Sequence, residues 1–142
     1  MLGVDPSVTG NFSSCSNRVG RAFDVALDGF HSTYNHVAAL LERNVRVLIY
    51  VGKNDWICNW VGNERWTLAL EWSGGDAFRA QASRDWKVGG KVAGSTRSAA
   101  GLTFATVEGA GHMVRSGPHE DCWLLRIICR FRTINLRNHC NL

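Results

Sequence analysis

A seven-residue apolar run constrains the fold of this chain more than any other feature. The run Val45–Val51, VRVLIYV, is rich in β-branched residues and only Arg46 interrupts it. Such a run predicts a buried strand of a parallel sheet, because helices cover both faces of parallel sheets. Gly52 ends the strand, and the polar residues 53–55 follow it as a loop.

Helical and strand patterns alternate along the rest of the chain. Apolar residues recur at helical spacing within residues 30–43, which predicts an amphipathic helix that Asn44 ends. The residues of that apolar face are Tyr34, Val37, Ala38 and Leu41. Three further segments carry clear patterns: a helix over 59–70, a hairpin over 86–98 that turns at Gly89–Gly90, and a short apolar strand over 102–107. This alternation is α/β in character, with two core strands.

The positive charge of the chain is concentrated at one end. The net charge is +4 and the isoelectric point is about 9.0. Residues 1–114 hold eleven Lys and Arg against ten Asp and Glu, whereas residues 115–142 hold five Arg against two acidic residues and three of the five Cys. A nucleic-acid-binding face would spread its charge more evenly, so the pattern predicts two unlike parts and no nucleic-acid partner.

The cysteine count and the N-terminal residues bear on the compartment. Five Cys is an odd number, so at least one thiol is free or pairs outside the chain. Asn11 opens an Asn-Phe-Ser sequon, which predicts N-glycosylation in the secretory pathway. Residues 1–10 do not have the charged and apolar regions of a signal peptide, and no apolar run is long enough to predict a membrane span.

Two polar residues follow the two predicted core strands. Asp55 comes after the first strand and His112 after the second, 57 positions later. Functional groups of α/β sheets collect beyond the carboxyl ends of strands, and Asp before His is the order of the last two triad members in α/β-hydrolases. The alternative is that Asp55 caps the following helix and His112 lies in an ordinary loop.

Two blocks of sequence around these residues identify a family. Residues 47–63, VLIYVGKNDWICNWVGN, and 108–114, EGAGHMV, closely resemble the acid-bearing and histidine-bearing blocks of serine carboxypeptidases of the carboxypeptidase Y-like, fungal type. The resemblance runs from about residue 2 to residue 114. It implies an incomplete α/β-hydrolase fold, made of the C-terminal strands, hairpin and helices of the sheet, with parallel core strands.

The resemblance also implies roles for individual residues. Asp55 corresponds to the triad acid and His112 to the general base of a peptidase that releases C-terminal amino acids from peptides through an acyl-enzyme. Cys58 corresponds to the free, buried thiol beside the substrate pocket, and Met113 to a residue that lines the pocket for the leaving amino acid. The alternatives are that Cys58 is a small core residue and that Met113 fills a gap in the core. Lys53 departs from the small or acidic residue usual at its place.

The nucleophile of the triad is absent from the sequence. No Gly-x-Ser-x-Gly occurs in the 142 residues. The resemblance implies that the nucleophile and the oxyanion hole lie upstream, and that the chain is the C-terminal portion of a longer protein. Cys15 fits this interpretation, because its counterpart in the family forms a disulfide with an upstream Cys. We therefore expect the chain alone to be inactive, because loss of a triad member costs many orders of magnitude in rate.

Partners and compartment follow from the same resemblance. It implies a peptide substrate, a vacuolar, lysosome-like or secreted location, and no cofactor or metal. The oligomeric state is open. The competing interpretation is a non-catalytic remnant or binding module derived from the family.

Residues 115–142 show no resemblance to the family and are predicted to be an unrelated Arg- and Cys-rich tail. A shift in reading frame or a retained intron would produce such a break. The simplest interpretation is a short helix or strand that covers exposed core, and two others are open. One is a basic amphipathic segment that binds a membrane or nucleic acid, and the other is a zinc site whose ligand spacings match no standard pattern. The candidate zinc ligands are His119, Cys122, Cys129, His139 and Cys140.

Overall fold

The computed structural model describes residues 15–114, which belong to two compact units that divide between Thr33 and Tyr34. The candidate glycosylation site Asn11 and the predicted tail, 115–142, lie outside the described residues. Within residues 15–114, no helix is long and apolar enough to cross a membrane.

In the described part of the first unit, residues 15–33, there is one α-helix. Helix α1 spans Asn17–Val25, and a short 3₁₀ turn follows at Asp28–Phe30. The side chain of Ser16 caps α1 by accepting a hydrogen bond from the Val19 N–H at 3.4 Å. No residue of α1 is buried, although its apolar residues share one face.

The second unit begins with the predicted amphipathic helix, shortened at its start. Helix α2 spans Tyr34–Glu42, not 30–43. Ser32 and Thr33 precede it, and side chains of this type favour caps and turns over helix interiors. Asn44 ends the helix as predicted, because its φ of 59° is left-handed. The Asn44 N–H donates to the Leu41 carbonyl and the Val45 N–H to the Leu40 carbonyl, which is the Schellman arrangement.

Four strands form one mixed sheet within residues 34–114 of the second unit. They are β1 (Val47–Gly52), β2 (Arg84–Val88), β3 (Lys91–Ala99) and β4 (Leu102–Val107), in the spatial order β1-β4-β3-β2. Strands β1 and β4 are parallel, and the other two pairs are antiparallel. The α/β prediction with parallel core strands is confirmed. Strands β1 and β4 are the two predicted core strands, and β2 and β3 are the two strands of the predicted hairpin.

Tight turns connect the antiparallel strands. Gly89 and Gly90, both with positive φ, turn β2 into β3 where the sequence predicts a hairpin. Ala100 and Gly101, with φ of 47° and 86°, make a second turn between β3 and β4. This second hairpin pairs β4 with β3, and the opposite edge of β4 pairs with β1.

The central position of β4 determines where the core lies. Every residue of β4 is buried, and Leu102 is 0% exposed. Helix α2, helix α3 (Trp60–Ala69) and helix α4 (Gly75–Arg79) contribute to the main apolar cluster. The buried members of that cluster are Leu41, Val51, Leu70, Phe78, Leu102 and Phe104. A smaller cluster forms around Trp86, Ala93, Val107 and Ala110.

Strand β1 is less buried than its apolar sequence predicts. Only Val51 and Gly52 are buried, and Tyr50 is exposed. In the described part of the chain β1 has a single partner, β4, and so forms one edge of the sheet. An edge position leaves part of an apolar strand uncovered, which accounts for the difference.

Candidate active site

The parallel pairing of β1 and β4 brings two loops to the same edge of the sheet. Gly52 at the end of β1 is in register with Val107 at the end of β4. Backbone hydrogen bonds continue past both strands, from the Lys53 N–H to the Val107 carbonyl and from the Asn54 N–H to the Ala110 carbonyl, each at 2.9 Å. The loop after β1 is therefore fixed to the loop after β4.

Gly52 allows these loops to approach closely. A Cβ atom at this position would overlap the carbonyl oxygens of Ala110 and Gly111. The atoms in the way are backbone, which cannot rotate aside as the tip of a side chain does. A glycine is required here by space, not by a left-handed φ.

An ion pair also joins the two loops. The Lys53 ammonium lies 2.8 Å from a carboxylate oxygen of Glu108, and both side chains are partly exposed. This contact links the loop after β1 to the loop after β4.

Asp55 is oriented by the backbone that follows it. Its side chain is buried, and Oδ1 accepts hydrogen bonds from the N–H groups of Ile57 at 3.0 Å and Cys58 at 2.9 Å. Asp55 does not cap helix α3. That role belongs to Asn59, whose side chain accepts from the Gly62 N–H at 2.8 Å.

The second carboxylate oxygen of Asp55 meets His112. Nδ1 of His112 lies 2.9 Å from Oδ2 of Asp55, and the His112 side chain is 56% exposed. One carboxylate thus uses one oxygen to hold its own loop and the other to hold a histidine from the loop after β4. More than half of the His112 side-chain surface is accessible to solvent.

The same contacts control the charge of Asp55. Burial acts to raise the pKa of the carboxyl group. The hydrogen bond from Cys58, the hydrogen bond and attraction from His112, and the bond from Ile57 together outweigh burial and lower the pKa below 3.8. Asp55 is therefore ionised at neutral pH and only accepts hydrogen bonds. Nδ1 of His112 must be the donor, which leaves Nε2 without a proton in the neutral ring.

A cavity of about 320 Å³ opens beside this pair. Cys58 and Met113 both line it, together with Asp55 and His112. Both side chains are exposed, 73% in the case of Met113, so neither lies in the core formed by residues 15–114. The resemblance implies that the Cys58 thiol is buried, whereas the structure shows it exposed. The difference arises because no described segment covers the loop over residues 56–58.

Asn63, which lies within the acid-bearing block of the sequence, is a scaffold residue of the acid loop. Asn63 donates from Nδ2 to the carbonyls of Cys58 and Asn59, at 3.1 and 3.0 Å, and accepts from Nε1 of Trp66. It also lines the cavity. Asn63 thus ties the start of helix α3 to the loop that carries Asp55.

Comparison with known proteins decides the family. The serine carboxypeptidase family model matches residues 1–125. The chain belongs to the serine carboxypeptidase family. It is 43% identical to a carboxypeptidase Y of Candida albicans over 103 residues, and 39% identical to a serine carboxypeptidase-like protein of rice over 127 residues. Those matches cover 72% and 89% of this chain.

A solved structure supports the α/β-hydrolase assignment of this serine carboxypeptidase chain. A prohormone-processing carboxypeptidase from Saccharomyces cerevisiae superposes with a TM-score of 0.60 at 28% identity, over 72% of this chain and 22% of that one. The chain spans 19% of the Candida protein and 29% of the rice protein. The resemblance stated from the sequence is confirmed, and the matched region is a small part of each relative.

Proposed function

We propose that Asp55 and His112 are the acid and the base of a serine carboxypeptidase triad. The single observation that carries this proposal is the 2.9 Å contact between Oδ2 of Asp55 and Nδ1 of His112 at the carboxyl ends of parallel strands. The corresponding reaction is the release of C-terminal amino acids from peptides through an acyl-enzyme.

The geometry suits the proton transfers of that reaction. His112, with its proton on Nδ1, presents an unprotonated Nε2 that takes the proton of a serine hydroxyl and later gives it to the leaving amine. Ionised Asp55 keeps the ring in that tautomer and stabilises the imidazolium that forms. Cys58 and Met113, at the cavity beside His112, are proposed to contact the peptide substrate.

The serine itself is proposed to come from outside these 142 residues. The sequence contains no Gly-x-Ser-x-Gly, the turn that exposes the nucleophile in α/β-hydrolases. We therefore expect the chain alone to hydrolyse no peptide and to remain unlabelled by a fluorophosphonate probe for reactive serines. Specific labelling of the chain would contradict this part of the proposal.

A chimera tests the function of the pair directly. Residues 15–114 would replace the matching segment of the Candida albicans carboxypeptidase Y, and the release of C-terminal residues from a peptide would be followed by mass spectrometry. We expect an active chimera whose kcat falls about 10⁴-fold on Asp55→Asn, because the histidine then adopts the wrong tautomer. A folded chimera that Asp55→Asn does not impair would refute the proposal.

The second candidate function is a non-catalytic binding module derived from the family. The absence of a nucleophile motif favours it, and the exposed cavity beside Met113 is where a peptide would bind. Binding of a peptide by the chain alone, unaffected by Asp55→Asn, would support this candidate over the first.

A vacuolar, lysosome-like or secreted location is also proposed, on the sequon at Asn11 and the resemblance to the carboxypeptidase Y branch. Expression in a fungal host behind an added secretion signal should give a glycosylated chain whose mass falls on treatment with an N-glycosidase. The Asn11→Gln variant should show no such change in mass.

A further inference from the structure

Three side chains with different ligand chemistry converge at the edge of the cavity. Asp55, Cys58 and His112 offer an oxygen, a sulfur and a nitrogen atom, and these atoms all lie within 4.8 Å of one another. No second group of this kind occurs within residues 15–114. The cluster combines the ligand types of zinc enzymes, although the sequence predicted no metal.

The fold already holds these side chains near one another. Cys58 donates its backbone N–H to Oδ1 of Asp55 at 2.9 Å, which fixes the loop between the two residues. His112 is joined to Oδ2 of the same carboxylate at 2.9 Å. The sequence places Asp55 and His112 57 positions apart, so the pairing of β1 and β4 is what brings the third ligand in.

We propose that Asp55, Cys58 and His112 bind a single Zn²⁺ ion. Mixed sulfur, nitrogen and oxygen ligands suit zinc, whereas Ca²⁺ and Mg²⁺ prefer oxygen alone. Zinc bond lengths of roughly 2.0–2.3 Å place tetrahedral ligand atoms about 3.4–3.6 Å apart. In the structure these ligand atoms lie up to 4.8 Å apart, so they must approach one another by about 1 Å. Rotation of the exposed Cys58 and His112 side chains supplies this movement.

The fourth coordination position faces the cavity. Three protein ligands with one position left for water or a small anion are the pattern of open zinc sites. The cavity of about 320 Å³ that Asp55, Cys58 and His112 line has room for that fourth ligand. On binding, the Cys58 thiol loses its proton to solvent and the thiolate sulfur coordinates the ion, with no change of oxidation state. The neutral His112 ring binds through an unprotonated nitrogen, so coordination by Nδ1 breaks the hydrogen bond to Asp55 and moves the ring proton to Nε2.

Zinc binding has a consequence for the proposed triad. The ion engages both Asp55 and His112, so the chain that holds zinc offers no histidine base. Metal binding and the peptidase role therefore exclude each other. This consequence rests on the proposed function, whereas the zinc site itself does not.

Cobalt is a suitable probe, because thiolate ligation of Co²⁺ gives an absorption band in the near ultraviolet. The titration would use the full chain with the tail cysteines changed to Ser, so that only the described thiols can ligate. Those changes are Cys122→Ser, Cys129→Ser and Cys140→Ser. We expect one Co²⁺ per chain with a charge-transfer band, and displacement of the cobalt by one equivalent of Zn²⁺.

Two single variants separate this site from other thiols. Cys58→Ser should abolish the band and weaken metal binding about tenfold or more, since even removing a residue that only orients a ligand has an effect of that size. The matched control, Cys15→Ser, should bind as its parent does. Failure of the parent to bind cobalt, or an unchanged band in Cys58→Ser, would overturn the proposal.

Alkylation of Cys58 tests the site in the chain of natural sequence, so its main result does not depend on whether a variant folds. In the chain of natural sequence, Zn²⁺ should slow the reaction of Cys58 with iodoacetamide, read by peptide mass spectrometry, and leave the rate at Cys15 unchanged. His112→Ala should remove the protection at Cys58. Equal rates at Cys58 with and without zinc would contradict the site whether or not the peptidase proposal holds.

Discussion

Replacing Gly52 by Ala probes the contact that holds the two site loops together. The new Cβ would lie 2.6 Å from the carbonyl carbon of Ala110, whereas carbon atoms in contact sit about 3.5–4.0 Å apart. The loops must then separate by about 1 Å. The hydrogen bond from the Asn54 N–H to the Ala110 carbonyl, now 2.9 Å, would lengthen to about 3.9 Å and be lost.

The expected cost follows from these contacts. Overpacking of this kind costs about 1–3 kcal/mol and a lost hydrogen bond about 0.5–1.5 kcal/mol. Restriction of the unfolded chain by Ala offsets about 0.4–1 kcal/mol of this. We expect the free energy of unfolding of Gly52→Ala to fall by about 0.5–4 kcal/mol, measured by urea unfolding followed through tryptophan fluorescence.

Gly62→Ala is the matched control for this variant. Gly62 lies in helix α3, and a Cβ there meets only the Asn59 side chain at ordinary contact distance, 3.4 Å. The same change should therefore stabilise the chain by about 0.5–1 kcal/mol. The reasoning is refuted if Gly52→Ala is as stable as the parent, or if Gly62→Ala is the more harmful change.

Three further changes test the core, the cross-loop ion pair and the acid. Leu102→Ala should lower the free energy of unfolding by about 2–5 kcal/mol, because Leu102 is fully buried, whereas Val92→Ala at an exposed position should cost under about 0.5 kcal/mol. Lys53→Met should cost at most about 1 kcal/mol in urea unfolding, and less still in high salt, because the pair with Glu108 is partly exposed. The pKa of Asp55 in the folded state lies below 3.8. The ionised carboxylate therefore stabilises the fold above pH 3.8, and this stabilisation is lost as the pH falls through the folded-state pKa. Acid unfolding should accordingly be less steep in Asp55→Asn, and equal slopes would contradict the lowered pKa.

Local patterns predicted the elements well and their ends less well. The run Val45–Val51 and the Gly89–Gly90 turn became a strand and a hairpin, since β-branched residues and paired glycines act through their own backbone. Helix α2 begins four residues later than its apolar periodicity suggested, because Ser32 and Thr33 favour caps. The second hairpin, at Ala100 and Gly101, was missed, since a pairing of β3 with β4 depends on register rather than on composition.

The candidate site was likewise predicted in part from the sequence. That Asp55 and His112 lie close together followed from placing each after a parallel strand, supported by the family resemblance. The ion pair from Lys53 to Glu108 depends on how the two loops fold against each other, so no pattern along the chain reveals it. The exposure of Cys58 likewise depends on what covers the loop, which is a property of packing.

The central claim is that Asp55 sets the tautomer of His112. Nitrogen-15 NMR of the neutral histidine ring in the full chain reads this directly. The structure predicts a proton on Nδ1 and none on Nε2 in the parent, and the opposite assignment in Asp55→Asn. A parent ring protonated on Nε2, or a tautomer that Asp55→Asn leaves unchanged, would contradict the account.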